Sequence, residues 1–126
     1  MKSILLVALG GGLGSVARFK LSAWVLAHSA DWKFPLGTFA VNIAGCLIAG
    51  LAAGLAERYQ LFSPEARLFI FVGILGGFTT FSAFGLETVL LLRRGDVWIA
   101  AVNVVGSVLC GVLVLWVTLR LVTHST

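Results

Sequence analysis

Charge is scarce in this sequence: only 11% of its 126 residues are Asp, Glu, Lys or Arg, and just five are acidic. Soluble domains carry about 25% charged residues, and a domain this small has a large surface to cover with polar groups. A water-soluble globule is therefore excluded. Cysteine is equally sparse. Cys46 and Cys110 lie inside separate apolar runs, which excludes a disulfide framework and leaves both as small buried apolar residues. His28 and His124 stand alone, so no His/Cys/carboxylate constellation is available for a transition metal. The formal charge of +4 comes from nine scattered Lys and Arg residues. A nucleic-acid partner would need a basic stripe, and there is none.

What is abundant is apolar. Hydrophobic residues make up 60% of the chain, and the mean hydropathy is +1.07. Lipid as solvent explains that excess, and fifteen glycines suit helices that approach closely in a bilayer. Length allows one domain, residues 1–126. Four runs reach the ~20 residues needed to cross a hydrocarbon core: about 3–26, 36–56, 67–92 and 97–122. The predicted fold is an all-α membrane protein of four transmembrane helices. Ser63-Pro64-Glu65 predicts an N-cap with proline at the first helical position. Met1-Lys2 and the apolar run behind it resemble the start of a signal peptide. Gly10-Gly11-Gly12-Leu13-Gly14 interrupts that run and Arg18 and Lys20 follow, so it is expected to stay as the first span.

Four spans put both termini on one side. Lys2, Arg58, Arg67 and Arg120 fall there, against Lys33, Arg93 and Arg94 opposite, with Arg18 and Lys20 joining the latter if they snorkel. Lys/Arg asymmetry normally sets orientation. Its near absence predicts insertion both ways and makes an antiparallel homodimer possible; the alternative is that a few charges near span one fix a single orientation.

Polar residues inside the spans carry the next signal, because an unsatisfied polar group in hydrocarbon costs several kcal/mol. Span two holds Asn42. Span four holds Asn103 and Ser107, four apart on one face, with Gly111 continuing the stripe. A single Asn or Ser can simply join helices, Arg18 can snorkel, and Glu87 can be an interfacial carboxylate. Glycine pairs four apart (Gly10/Gly14, Gly50/Gly54, Gly73/Gly77) read as packing faces. Span three resists such explanations. Gly76-Gly77-Phe78-Thr79-Thr80-Phe81-Ser82-Ala83-Phe84 places two glycines and two β-branched threonines mid-run, which is poor helix. A break there frees backbone groups that only protein or a polar cavity can satisfy, and broken helices often form ion sites. Thr80, Phe84 and Glu87 follow at i, i+4 and i+7. Hydroxyl hydrogens and the positive edges of phenylalanine rings suit a small anion, and the few fixed cations favour its release.

This nonapeptide with Glu87 resembles the Fluc (CrcB) fluoride channel family. Gly11-Gly12-Leu13-Gly14-Ser15 with Arg18 resembles its first-helix motif, Gly37-Thr38-Phe39-Ala40-Val41-Asn42 its second, and Gly106-Ser107 part of its fourth. The resemblance implies a fluoride-selective channel for passive fluoride efflux across a bacterial inner (plasma) membrane. It also implies a dual-topology antiparallel homodimer with two pores. It implies a structural sodium (Na+) at the dimer centre, held by main-chain carbonyls at crossed span-three breaks, which match Gly76 and Thr79. The pore residues implied are Asn42, Phe81, Phe84 and Ser107, with Thr80, Ser82 and Glu87 along a polar track and Arg18 at an aqueous vestibule. Three departures stand out. Asn103 takes a pore-wall position where some members have an aromatic ring, Ala83 replaces the usual hydroxyl residue, and Gly111 occupies a position that is serine in some members.

Other readings fare worse. A proton-coupled exporter similar to the small multidrug resistance family needs a carboxylate in span one, and none of the acidic residues lies there. A passive scaffold leaves the Gly-Gly/Thr-Thr segment unexplained. An enzyme is not expected, since Ser82 and the threonines have no nearby base.

Overall fold

The computed structural model describes residues 1–125. Helix α1 covers Lys2–His28 and α2 covers Leu36–Tyr59. The third stretch begins with a short helix α3, Pro64–Arg67, and continues through a π-helical segment, Leu68–Leu75, into α4, Gly76–Phe78. Helix α5 covers Phe81–Arg93, and α6 covers Val97–His124. No strand occurs among the described residues. Four stretches are long and apolar enough to cross a membrane: Lys2–His28, Leu36–Tyr59, Pro64–Arg93 and Val97–His124.

Their ends follow local chemistry. Ser63 accepts a hydrogen bond from the Ala66 amide at 3.1 Å, with Pro64 next in line, so the cap read from the sequence is in place. Gln60 ends α2 in the left-handed region at φ 53°. Each helix runs slightly past its apolar run, because charged and polar flanking residues keep helical turns going where water begins. Gly95, at φ +85°, turns the chain from α5 into α6. An ion pair of 3.6 Å between Lys33 and Asp96 ties this turn to the loop between α1 and α2.

Two seams organise the packing. Helix α1 lies along the π-helical segment and α4, while α2 lies along α6. The first seam depends on missing side chains: a Cβ at Gly14 would sit 2.1 Å from the Ile74 carbonyl oxygen, and one at Gly77 would sit 2.4 Å from that of Gly11. The Gly50/Gly54 pair lies against Leu115, Thr118 and Val122 on the second seam. Backbone contact this close replaces hydrophobic burial, which has no driving force between helices in lipid. The outward faces are largely apolar; Leu9, Phe19, Leu109 and Val112 are all exposed, with Lys20 and Ser82 among the exceptions. In water that surface would aggregate, and in a bilayer it is the solvated surface.

Candidate functional site

Thr79 and Thr80 separate α4 from α5 with extended dihedrals, φ −83° and ψ 156° for Thr79 and φ −148° and ψ 123° for Thr80. Asn42 on α2 holds this segment at two points. Its Nδ2 donates to the Thr80 carbonyl oxygen at 3.0 Å, and its Oδ1 accepts from the Thr80 amide at 2.9 Å. One amide thus satisfies both backbone groups of a residue that has left the helix, as a neighbouring strand would. The Thr80 hydroxyl caps α5 by accepting from the Ala83 amide at 3.2 Å, and the Thr79 hydroxyl donates back to the Leu75 carbonyl at 2.8 Å.

Cavities flank the segment. The larger, about 680 Å³, is lined by Ser15, Arg18 and Ser22 of α1, Thr38 of α2, and Thr80, Ser82 and Glu87. Thr38 donates to Glu87 Oε1 at 2.7 Å, and the second carboxylate oxygen of Glu87 is buried without a partner among the described residues. Arg18 makes no ion pair among the described residues, so a cation and a carboxylate face one space without neutralising each other directly. The smaller cavity, about 320 Å³, is lined by Asn42, Cys46, Thr79, Thr80, Phe81, Phe84 and Ser107. Its two rings lie 5.6 Å apart, tilted by 42°. Thr80 belongs to both walls. The wall of the smaller space is mostly apolar, with the hydroxyls of Thr79, Thr80 and Ser107 and the Asn42 amide set into it, and no cationic side chain among the described residues lines it. Such a wall can accept a small anion by hydrogen bonding without trapping it.

Of the residues singled out in the sequence, Asn42, Thr80, Phe81, Phe84 and Ser107 are gathered at the smaller cavity, and Arg18, Ser82 and Glu87 at the larger. Asn103 lies elsewhere. It is 1% exposed, lines neither cavity, and donates to Thr88 at 3.0 Å. Ala83 lines the larger cavity, and a Cβ on Gly111 would meet the Cys46 sulfur at 3.2 Å. Gly76 and Thr79 share the wall of a third cavity of about 210 Å³. Main-chain carbonyl oxygens suit a hard cation in kind, yet two residues of one chain supply too few of them. Thr38 enters the sequence reading only within the second-helix motif, Cys46 is expected there only as a small buried apolar residue but is half-buried at the smaller cavity, and Thr88 does not enter it. The one signal that could have found Thr88 is its spacing, four residues beyond Phe84, which places both on one helix face.

Four membrane-length helices with apolar outer faces define a multi-pass membrane protein. Residues 5–119 match the family model described as CrcB-like protein, Camphor Resistance (CrcB), and the chain belongs to that family. It is 55% identical over 122 residues to the fluoride-specific ion channel FluC of Methylobacillus flagellatus, covering 97% of this chain and 95% of that protein. It is 46% identical to the fluoride-specific ion channel FluC 2 of Nitrobacter hamburgensis, covering 97% of this chain and 98% of that one. The FluC of Opitutus terrae is 47% identical, with 92% and 89% covered.

Proposed function

We propose that this chain is the subunit of a fluoride-selective channel, not an enzyme, and that it lets fluoride leave a bacterial cell passively across the inner (plasma) membrane. The observation that carries this is the 55% identity, sustained over 97% of the chain, with a protein named as a fluoride-specific ion channel. The geometry agrees in kind: a small cavity lined by three hydroxyl residues, the Asn42 amide and two phenylalanine rings offers donors to a small anion and no fixed cation to hold it. In this reading Asn42, Phe81, Phe84 and Ser107 line the fluoride path, Thr80, Ser82 and Glu87 continue it, and Arg18 faces the vestibule.

The working unit in this reading is an antiparallel homodimer of dual topology, each copy a single four-helix domain with its third span interrupted at Thr79-Thr80 near the bilayer midplane. Phe81 supports a second copy. It is 83% exposed in one chain although it borders the smaller cavity, so a path lined by its ring needs another surface to close it. In the same reading the main-chain carbonyls of Gly76 and Thr79, doubled by a two-fold axis, would hold a structural sodium ion that binds the crossed segments by charge–dipole attraction.

Purified protein in liposomes tests the function. Fluoride should escape rapidly without a proton gradient, and chloride should hardly escape at all. Equal chloride flux, or fluoride efflux that needs a proton gradient, would sink the channel reading. Phe81→Ile keeps apolar bulk and removes the ring edge, so it should suppress flux while the dimer survives; normal flux would remove Phe81 from the path.

A further inference from the structure

Behind the smaller cavity, three hydrogen bonds run in one direction. Ser107 donates to Asn103 Oδ1 at 3.3 Å, Asn103 Nδ2 donates to Thr88 Oγ1 at 3.0 Å, and Thr88 donates to the Phe84 carbonyl at 2.8 Å. Both ends of this relay, Ser107 and Phe84, line the cavity, whereas Asn103 and Thr88 do not. Asn103 is its keystone and is almost wholly buried.

The direction has a chemical cause. A carbonyl oxygen only accepts, so the Thr88 hydrogen is committed to Phe84. The Thr88 oxygen then takes the Asn103 N–H, and the Asn103 oxygen is left to accept from Ser107. The Ser107 proton is therefore drawn away from the cavity, and an anion there needs that proton. The bond to Ser107 is the longest of the three and longer than the usual range for a hydroxyl donor, so it is the one that yields. When it yields, a buried amide oxygen loses its partner, which is unfavourable.

We infer that Asn103 is a positioning residue whose amide oxygen competes with a bound anion for the Ser107 proton, weakening each binding event and hastening release. Conduction needs such a balance, because a site that holds too well stops passing ions. The inference rests on the fluoride-channel reading and adds to it a residue that never touches the ion.

Efflux from liposomes at graded fluoride concentrations tests it, with Asn103→Leu as a variant of similar volume and no polar side-chain atom. Freed of its competitor, Ser107 should hold fluoride longer. Half-saturating fluoride should fall roughly three- to tenfold, the range one modest hydrogen bond covers, and maximal efflux should fall by a similar factor. In a Ser107→Ala background the same substitution should shift either quantity by less than about twofold, because the proton in contention is gone. A rise in half-saturating fluoride, no change at all, or an equal loss in both backgrounds would overturn the inference; the last would make Asn103 a packing residue. Should Asn103→Leu not insert, Thr88→Val removes the acceptor that orients the amide. It lets Asn103 turn its N–H toward Ser107, and it should shift both quantities the same way by a smaller factor; a flat or opposite result again overturns the inference. The unaltered chain separates the two failures. If it passes no fluoride, the channel reading falls and takes the inference with it. If it does and the variants behave otherwise than stated, the inference alone falls.

Discussion

Where α1 meets the π-helical segment and α4, backbone lies directly on backbone. Helix α5, by contrast, hangs from α2 and α6 by side-chain hydrogen bonds. On the first side, Gly10 and Gly14 face Gly73 and the carbonyls of Phe69 and Ile74, with no room for even a methyl group. On the second, Leu91 is the one buried residue of α5. Its place is set by Thr38 to Glu87, Asn42 to Thr80, and Asn103 to Thr88. In lipid both devices hold helices together, yet they leave different surfaces behind. Close glycine packing leaves no space, and its polar atoms are backbone groups and the Ser15 hydroxyl, which donates to the Gly77 carbonyl at 3.5 Å. Polar tethers leave cavities lined by the same groups that make the tethers, and those groups are what a permeating anion needs.

The glycine seam should be the harder to disturb without losing the fold. In Gly14→Val the new side chain drives into the Ile74 carbonyl, and relief requires α1 to move as a body. Overpacking of this kind usually costs about 1–3 kcal/mol and more where backbone is the obstacle. The expected outcome is loss of monodisperse protein in detergent size-exclusion chromatography. A variant that elutes and conducts as the parent does would show that α1 is free to shift, and the contrast between the two sides would disappear.

Asn42→Leu should break the other side while sparing the first. It strips both partners from the Thr80 backbone, leaving a donor and an acceptor unmet at about 1–3 kcal/mol each. Because α5 has little apolar packing of its own to hold it, that loss should fall on the position of Thr80 and the two cavities it borders. We expect a folded protein with a lowered Tm and fluoride efflux reduced by roughly a hundredfold, in line with about 2.7 kcal/mol of lost positioning. Efflux within threefold of the parent would mean that Thr80 is held by something other than Asn42.

How much of this was legible beforehand follows the same division. The four spans could be read because lipid demands long apolar runs, and the glycine pairs because spacing of four places them on one helix face. The residues around Thr79-Thr80 drew notice through poor helix propensity. What joins them to the rest could not be read: Asn42 is 38 residues from Thr80, and Thr38 is 49 from Glu87. No periodicity connects positions on different helices. Asn103 and Ser107 can be placed on one face from their spacing, but the direction of their hydrogen bonds depends on Thr88 across a helix contact; the place of Asn103 at the pore wall is what the family resemblance implies. Fluoride itself was never in the composition; it came from the motifs shared with a family.

The loops offer the smallest effect and a control for the comparison. Lys33 and Asp96 pair at 3.6 Å, with the lysine side chain 72% exposed. A pair so open to solvent contributes little, typically 0.2–1 kcal/mol and less at high salt. Lys33→Met removes the charge and keeps most of the side chain's length. It should lower Tm by no more than about 2–3 °C at low salt, with the difference fading in about 0.5 M NaCl as screening removes the attraction. Fluoride efflux should match the parent, since neither residue lines a cavity beside Thr80. A large loss of flux would mean that the α5–α6 turn governs where α5 sits. The polar tethers inside the membrane would then be followers of that turn, and the division between a packed half and a tethered half would have to be redrawn around the loop.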